Sequence, residues 1–227
     1  PAGFLFGSTA SLNVSGAVTF TSADYLKLED GRRFTAAPNQ VTDALLTASP
    51  VASFGFLGSK PGAIKIQGSQ LDVKNGTGIS LVGGNISVKS GTLDDGTIQS
   101  ARLSAPNGRI QLASTASPGE FPVDINAFTL LEPLSNSNGK SFTAFSAVTL
   151  AQNSGVIVSG NNTVSIRGGQ FILSVNDATF STAESIGTSD SISLAPDSAI
   201  LSSTSGAVPG ANIQITTGTL QMDTAEI

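Results

Sequence analysis

The chain has 227 residues, and its composition excludes several classes of protein before any motif is considered. It contains no Cys and no His, which excludes a disulfide framework, a zinc–thiolate site and catalysis by either side chain. Its net charge is −5 and only 12 % of residues are charged. This argues against nucleic acid or an anionic membrane as partner, because both bind clusters of Lys and Arg. The chain begins with Pro1 and shows neither a signal peptide nor a run of about 18 apolar residues, so we expect a processed piece of a longer protein.

The first predicted elements lie in residues 19–36, TFTSADYLKLEDGRRFTA. This stretch predicts a strand, a turn at Asp30–Gly31 and a second strand. Residues 45–62, LLTASPVASFGFLGSKPG, then bring the chain back. The expected packing residues there are Phe54, Phe56 and Leu57. We therefore predict that residues 20–60 are a hairpin-containing excursion beside the main body of the protein.

One spacing of apolar residues recurs through the rest of the chain. In residues 63–73, AIKIQGSQLDV, it places Ile64, Ile66, Leu71 and Val73 at offsets of 0, +2, +7 and +9. Complete or partial copies recur at Ile86–Leu93, Ile110–Leu112, Val148–Val158, Val164–Leu173, Ile192–Ile200 and Ile213–Met222. The period of two within each copy predicts short strands, and the Gly, Ser, Asn and Pro residues between them predict turns.

The copies lie a little over twenty residues apart, which is typical of a repeat architecture. An offset of 22 residues aligns apolar positions of neighbouring copies, namely Ile64 with Ile86, Ile66 with Val88 and Leu71 with Leu93. We expect roughly eight to ten coils, each about 4.8 Å above the last and paired with it in parallel. The seven-residue offset is then the distance from one sheet, round a tight corner, to the next. A sandwich or barrel fits less well, because the strands do not pair as successive hairpins.

Residues 117–147 are a second irregular stretch, containing Pro118, Pro122 and Pro133. Its aromatic residues are expected to fill the core or to seal the side of a coil, namely Phe121, Phe128, Phe142 and Phe145. Gly83–Gly84 and Gly168–Gly169 are predicted to be tight corners. They do not resemble phosphate loops, because no helix and no Lys follow them.

No catalytic or cofactor-binding residue is predicted, and the candidate sites are few. The best acidic cluster is Asp72 and Asp94, which are 22 residues apart and would stack on adjacent coils, with Asp95 beside them. It is a weak candidate for a Ca²⁺ site, and solvated edge residues are the alternative. Arg32–Arg33 is either a contact patch or a solvated hairpin tip. Arg167 either neutralises a neighbouring acid or takes part in binding.

The chain resembles a known family over nearly its whole length. Residues 1–16, PAGFLFGSTASLNVSG, resemble the Asn-Pro-Asn-Gly segment of two-partner secretion exoproteins, the filamentous haemagglutinin-like adhesins, with Ala2 where the family usually has Asn. Further similar stretches are YLKLEDGRRFTA, FGFLGSKPGAIKIQGSQLDV, ISLVGGNISVKSGTL, SAPNGRIQLASTASPGE and SIRGGQFIL. The resemblance implies an all-β fold, a right-handed parallel β-helix (β-solenoid). The extra-helical β-hairpin of that fold would correspond to residues 20–60.

The resemblance also implies a route of export and the residues that carry it. The secretion-motif-like residues are Pro1, Ala2, Gly3, Phe4, Leu5, Phe6 and Gly7. Residues 1–140 would be the later part of a TPS/haemagglutinin-type secretion domain, and residues 141–227 would continue the β-helix coils as one solenoid. The implied partner is an outer-membrane TpsB-type transporter, which would recognise the secretion domain through its periplasmic modules. The implied location is secreted or at the cell surface of a Gram-negative-type bacterium.

Three functions are open on the sequence alone. The main one is a non-catalytic structural adhesin segment, whose polar outer faces suit weak, multivalent contact with a receptor or glycan of a host or neighbouring cell. The alternative is a fibre-forming subunit that associates end to end through open strand edges. A polysaccharide-active β-helix enzyme is a distant alternative, because it needs several carboxylates in one groove. No cofactor is expected for any of them except the weak Ca²⁺ candidate.

Overall fold

The computed structural model describes residues 1–38, 41, 47–124, 129–130, 142–151, 154–158, 164–174, 188–194 and 216–222. These residues form strands and connections with almost no helix, so the predicted all-β class is confirmed. Their strands, numbered in chain order, are β1 (Gly3–Phe6), β2 (Val18–Thr21), β3 (Tyr25–Leu28), β4 (Arg33–Thr35), β5 (Val51–Phe56), β6 (Ala63–Gln67), β7 (Gln70–Asp72), β8 (Gly78–Gly83), β9 (Ile86–Lys89), β10 (Gly91–Thr92), β11 (Ile98–Gln99), β12 (Arg102–Ala105), β13 (Arg109–Ser114), β14 (Gly119–Asp124), β15 (Thr129–Leu130), β16 (Ala147–Ala151), β17 (Gly155–Val158), β18 (Val164–Arg167), β19 (Gln170–Ser174), β20 (Thr188–Leu194) and β21 (Thr216–Met222).

Most of these strands form three parallel sheets. Sheet 1 has the order β1-β6-β9-β16-β19-β20-β21, sheet 2 the order β17-β12-β7, and sheet 3 the order β18-β13-β8-β2. Neighbouring strands within each sheet come from distant parts of the chain. Within the described residues the chain visits sheets 1, 2 and 3 in that order four times, and we call each such circuit a pass. The first pass runs through β1, a bridge from Ser11 to Gln70 and β2, and three more passes follow from β6 to β18.

Apolar ladders run across sheet 1 because its strands pair in a fixed register. The first ladder contains Phe4, Ile64, Ile86, Val148, Phe171, Ile192 and Leu220. The second contains Phe6, Ile66, Val88, Leu150, Leu173, Leu194 and Met222. The expected pairings of Ile64 with Ile86 and of Ile66 with Val88 are confirmed. Each short strand therefore finds apolar partners on the strands beside it.

The inward side chains of all three sheets meet in one apolar core. Its fully buried members include Ile64 and Ile66 from sheet 1, Leu71 and Leu103 from sheet 2, and Ile79, Leu81 and Ile110 from sheet 3. Outward positions on sheets 1 and 2 are mostly polar, including Lys65, Gln70, Asp72, Ser87, Arg102 and Thr149. This alternation is the pattern expected of strands with one buried face and one solvated face.

One alignment predicted from the repeat is wrong. The structure pairs Leu71 with Leu103 and not with Leu93. The error arises because β10 and β11 form an antiparallel hairpin between β9 and β12, which displaces Leu93 from sheet 2. Ile213, where the last predicted copy begins, lies outside the described residues.

The recurring spacing also marks more than one corner of the fold. Residues 64–73 cross from sheet 1 to sheet 2, whereas residues 164–173 cross from sheet 3 to sheet 1. Both crossings need a strand, a corner of a few small residues and another strand. Spacing alone therefore predicts a corner but cannot say which corner it is.

The corner from sheet 3 to sheet 1 alternates between a tight turn and an excursion. The chain turns directly at Gly83–Gly84 and at Gly168–Gly169, as predicted, with Gly84 N donating to Gly62 O and Gly169 N donating to Ser146 O. In the other two passes it leaves after Ser22 and returns at Gly62, and leaves after Ser114 and returns at Ser146. The two excursions therefore leave the same corner two strand spacings apart, about 10 Å.

The two excursions join into one antiparallel sheet with the order β15-β14-β5-β3-β4. The β3–β4 pairing, with Tyr25 opposite Thr35, confirms the hairpin predicted within residues 20–60. β5 from the first excursion pairs with β14 from the second, and Phe54 lies opposite Phe121. The stretch 117–147 is thus not a separate irregularity, because it completes the sheet that residues 20–60 begin.

A second apolar cluster lies between this antiparallel sheet and the outer face of sheet 3. It contains Phe54, Phe56, Phe121 and Phe142 from the excursions and Val82 and Ala113 from sheet 3. The packing role expected for those four Phe residues is confirmed, and Phe145 is half-buried against them. Leu57 is 62 % exposed, so its predicted packing role is wrong: the residue follows the end of β5 and its side chain reaches solvent. Phe128 lies outside the described residues.

Serine and glycine alternate where sheet 3 ends. Ser22 lies beside Gly83, Gly83 beside Ser114, and Ser114 beside Gly168. Ser22 Oγ donates to Gly62 O at 2.7 Å, and Ser114 Oγ donates to Ser146 O at 2.6 Å. A Cβ on Gly83 would lie 2.6 Å from Ser22 Oγ, and one on Gly168 would lie 2.9 Å from Ser114 Oγ. Glycine in one pass therefore leaves room for the serine hydroxyl of the pass before it.

Gly84→Ala is expected to destabilise the chain, because a Cβ there would overlap the carbonyl oxygen of Pro61 and lie 3.2 Å from that of Gly62. Overpacking of this kind lowers the free energy of unfolding by about 1–3 kcal/mol, which urea denaturation can measure. Gly16→Ala is the control, since no atom lies within 4 Å of the position of its Cβ. Equal losses from the two changes would contradict the packing argument.

Candidate functional site

The N-terminal segment, residues 1–7, lies along the edge of sheet 1. β1 pairs in parallel with β6, with Gly3 opposite Ala63 and Phe6 opposite Ile66. Gly3 has φ +98°, and a Cβ there would overlap Ala63 O, so only glycine allows this close approach. Among the residues that the structure describes, β1 has a hydrogen-bonded neighbour on one side only.

The side chains of the segment divide between two directions. Phe4, Phe6 and Phe20 form an aromatic cluster against the core, with ring centroids 4.8 Å apart for Phe6 and Phe20 and 6.0 Å apart for Phe4 and Phe20. Leu5 points to the opposite side and is 66 % exposed, while Phe4 is 39 % exposed. Pro1, Ala2 and Gly7 are also exposed. The secretion-motif-like residues therefore lie together as one strand with an apolar, accessible surface.

A turn follows β1 at residues 7–10, in which Ala10 N donates to Gly7 O at 2.9 Å. Other segments hold this turn by side-chain hydrogen bonds. Ser69 Oγ donates to Gly7 O at 2.7 Å, and Gln99 Nε2 donates to Ser8 O at 2.7 Å. Ser8 Oγ in turn donates to Thr92 O at 2.8 Å. The turn is thus tied to β10 and β11, which were not singled out in the sequence.

The structure does not assemble the Ca²⁺ candidate. Asp72 faces Ser104 across sheet 2 and accepts two hydrogen bonds from Arg102, at 3.1 and 2.7 Å. Asp94 and Asp95 lie in the turn of the β10–β11 hairpin, where Asp95 accepts from Thr97 N at 2.8 Å. The predicted stacking of Asp72 and Asp94 is wrong, because that hairpin removes Asp94 from the repeat. No cluster of three metal-binding side chains occurs among the described residues.

The most connected polar cluster centres on Glu120 of β14, a residue that the sequence did not single out. Tyr25 Oη donates to Glu120 Oε1 at 2.6 Å, and Lys27 Nζ donates to Oε2 at 3.1 Å. Ser53 Oγ donates to Oε2 at 3.2 Å, and the Arg33 guanidinium lies 3.5 Å from Oε1. These partners come from β3, β4 and β5. One carboxylate therefore fastens the second excursion to the first.

The environment of the Glu120 cluster shifts two pKa values. Burial alone would raise the pKa of Glu120, but hydrogen bonds from Tyr25, Lys27 and Ser53 and the charge of Lys27 lower it below its usual value. Burial, together with the hydrogen bond to Glu120, raises the pKa of Tyr25 to about 12. The cluster is therefore a neutral phenol and an ionised carboxylate at neutral pH, which suits a structural tie and not proton transfer.

The two arginine candidates have structural contacts. Arg33 lies over the Tyr25 ring at 4.2 Å and belongs to the Glu120 cluster, whereas Arg32 is paired with Asp30 at 3.9 Å near the hairpin turn. Arg167 lies over the Phe145 ring at 4.8 Å, beside the second apolar cluster. The Glu120 contacts could not be predicted from the sequence, because Glu120 is more than ninety residues from Tyr25 and no local pattern connects the two residues.

Comparison with known proteins supplies the family. Residues 1–137 match the family model of the TPS secretion domain. The chain belongs to the TPS secretion domain family. No curated protein and no solved structure matches it. The matched TPS domain includes the N-terminal segment, turn 7–10, the β10–β11 hairpin and the Glu120 cluster.

Membership in this family indicates how the protein is exported. The TPS domain belongs to a two-partner secretion exoprotein, which is exported across the outer membrane of Gram-negative bacteria and secreted. Its partner in that step is a TpsB outer-membrane transporter, and the domain is associated with transport and not with catalysis. No helix in the described part of the chain has the length and apolar character to cross a membrane.

The Glu120 cluster is expected to make the stability of the TPS domain sensitive to acid. Because the folded-state pKa of Glu120 is lowered, its contribution is complete above the usual value of 4.5 and is lost as pH falls through the folded-state pKa. The free energy of unfolding of Glu120→Gln should therefore lie below that of wild type at pH 7, and the gap should narrow below pH 4.5.

Denaturation at several pH values measures this gap. Glu29→Gln is the control, since Glu29 is an exposed carboxylate near the turn of the same β3–β4 hairpin. A gap for Glu120→Gln that stays constant from pH 7 to the acid range would contradict the assigned role of the carboxylate.

Proposed function

We propose that sheets 1, 2 and 3 are the three faces of one right-handed parallel β-helix. Three observations support this: the chain visits the sheets in a constant order, the pairing within each sheet is parallel, and their inward side chains share one core. Right-handed connections between parallel strands are also the general rule. We further propose that residues 141–227 continue this β-helix after a secretion domain of residues 1–140, because β16, β19, β20 and β21 extend sheet 1, β17 extends sheet 2 and β18 extends sheet 3.

The function best supported is that of a secreted, non-catalytic structural adhesin segment whose N-terminal part is recognised by the transporter. The observation that carries the recognition is the N-terminal segment itself. It lies inside the matched TPS domain, its strand β1 is held in fixed register by β6, and Leu5 and Phe4 are accessible on it. A rigid strand with exposed apolar side chains offers the transporter a preformed contact.

Leu5→Asp tests the recognition part. Leu5 is outward-facing and lies opposite Lys65, so the new carboxylate has a cation nearby and the fold should persist. The amount of chain secreted from a Gram-negative host that expresses the partner transporter should fall about 10-fold, as when a central interface side chain is lost.

The control is Phe34→Asp, which makes an apolar-to-acidic change at a side chain that is 47 % exposed on β4, the edge strand of the antiparallel sheet. Circular dichroism of both purified variants checks that they are folded. Wild-type secretion of a folded Leu5→Asp variant would overturn the proposed role of the segment.

The adhesin part of the proposal rests on the outer faces of the parallel sheets. Sheet 1 presents Lys65, Ser87, Lys89 and Thr149 outward, in a register set by the same pairing that builds the core. Such a face repeats small polar and cationic groups at strand spacing, about 4.8 Å. Each contact is weak, and attachment follows from many contacts made together.

Beads coated with the purified chain are expected to bind cultured cells, whereas the monomeric chain should bind weakly. The double variant Lys65→Glu with Lys89→Glu should lower bead binding, because it reverses the charge of the outer face of sheet 1. The control pair Lys74→Glu with Arg109→Glu makes the same change at exposed positions outside sheet 1. Failure of wild-type beads to bind any cell type, or an equal loss from both pairs, would contradict this surface.

A further inference from the structure

Hydrogen bonds join the hairpin of β10 and β11, residues 91–99, to turn 7–10 at the end of the N-terminal segment. These bonds are not part of the repeating strand pairing of the parallel sheets. We propose that this hairpin is the clamp that positions the segment for the transporter, with Gln99 as the positioning residue. The inference rests on the proposed recognition function of residues 1–7. It adds a second element, remote in sequence, to the recognition surface.

The geometry of the hairpin sets it apart from an ordinary surface loop. Backbone hydrogen bonds in the parallel sheets connect each pass to the next, as between β6 and β9. The hairpin follows β9, yet its contacts reach β1's own turn, two passes away. Gln99 Nε2 donates both to Gly68 O of the intervening pass and to Ser8 O of the first pass. One side chain therefore spans the edges of three successive passes.

Small residues make this reach possible. Gly68 has φ +72°, and a Cβ there would lie 2.9 Å from Gly91 N and 3.1 Å from Gln99 O. A Cβ on Gly91 would lie 2.6 Å from Gln67 O and 2.8 Å from Ser8 Oγ. Any larger side chain at either position would push the hairpin away from turn 7–10. The hairpin and the corner at Gly68 are thus shaped to fit against each other.

The turn itself has little other support. After β1 ends at Phe6, the first pass makes its next strand-like pairing at Ser11. Among the described residues this pairing is a single bridge, from Ser11 to Gln70 of sheet 2. Between these points the side-chain bonds from Ser69 and Gln99 and the bond to Thr92 hold the chain. Loss of these bonds should free the turn and the end of β1, while the paired strands of sheet 1 keep their core.

The decisive variant is Gln99→Met, which keeps the length of the side chain and removes its donors. The amide of Ala10, whose N–H bonds to Gly7 O, should exchange its hydrogen about 10-fold faster. The reason is that turn 7–10 can then open without the cost of breaking the Gln99 hydrogen bonds. The amide of Ile64, in the core of sheet 1, should exchange at the wild-type rate. Binding of the purified periplasmic module of the partner transporter should weaken by a similar factor.

Gln170→Met is the matched control, since Gln170 is an exposed glutamine of β19, four strands away from β1 in sheet 1, and it should change neither readout. If Gln99→Met does not fold, Ser8→Ala removes only the bond to Thr92 and should give a smaller rise in the same amide. Unchanged exchange of Ala10 in a folded variant would overturn the clamp.

The two readouts separate the clamp from the proposed function. Faster exchange at Ala10 with unchanged module binding would show a clamp that does not serve recognition, which overturns the inference. A module that fails to bind even the wild-type chain would contradict the recognition role of residues 1–7, and the exchange rates would still decide whether the clamp exists. Faster exchange together with weaker binding supports both.

Discussion

The in-register parallel pairing of short strands is the constraint on which the rest of the structure depends. A strand of four or five residues buries too little apolar surface to be stable alone, and it becomes stable only when strands of the same register lie beside it. Sheet 1 meets this need with two uninterrupted apolar ladders, beginning at Phe4 and Phe6. Register then fixes everything outside the core, because a shift by one residue would turn Lys65 and Ser87 inward and expose Ile64 and Ile86.

Corners, in contrast, are free to vary, and the chain uses each of them differently. The corner from sheet 2 to sheet 3 holds Asn-Gly turns that stack, with Asn107 Nδ2 donating to Asn75 Oδ1 at 2.6 Å. The corner from sheet 1 to sheet 2 carries the β10–β11 hairpin, and the corner from sheet 3 to sheet 1 carries both excursions. Insertions at corners leave the ladders intact, which explains how so much non-repeating structure coexists with a regular core.

The sequence predicted the elements governed by local pattern and missed those governed by distant contacts. Alternating apolar residues were enough to align Ile64 with Ile86 and to mark the hairpin within residues 20–60. The same pattern misplaced Leu71, because nothing in GTLDDGTIQ distinguishes a strand of the repeat from the hairpin that interrupts it. The Glu120 cluster was out of reach for another reason: its partners lie on separate excursions and meet only after the corners have brought β5 beside β14.

The same contrast between faces and corners explains where recognition can arise in this TPS domain. The faces of the parallel sheets repeat, so one pass resembles the next and does not give a transporter a unique binding surface. A unique surface needs contacts that break the repeat. Turn 7–10 and the hairpin of residues 91–99 meet this condition, since Gln99 joins passes that the sheets themselves do not connect. The Glu120 cluster breaks the repeat as well, but its carboxylate is occupied by four partners from neighbouring strands of the same antiparallel sheet. The N-terminal corner combines a non-repeating geometry with the exposed apolar side chains of Phe4 and Leu5, which is why we propose that recognition takes place there.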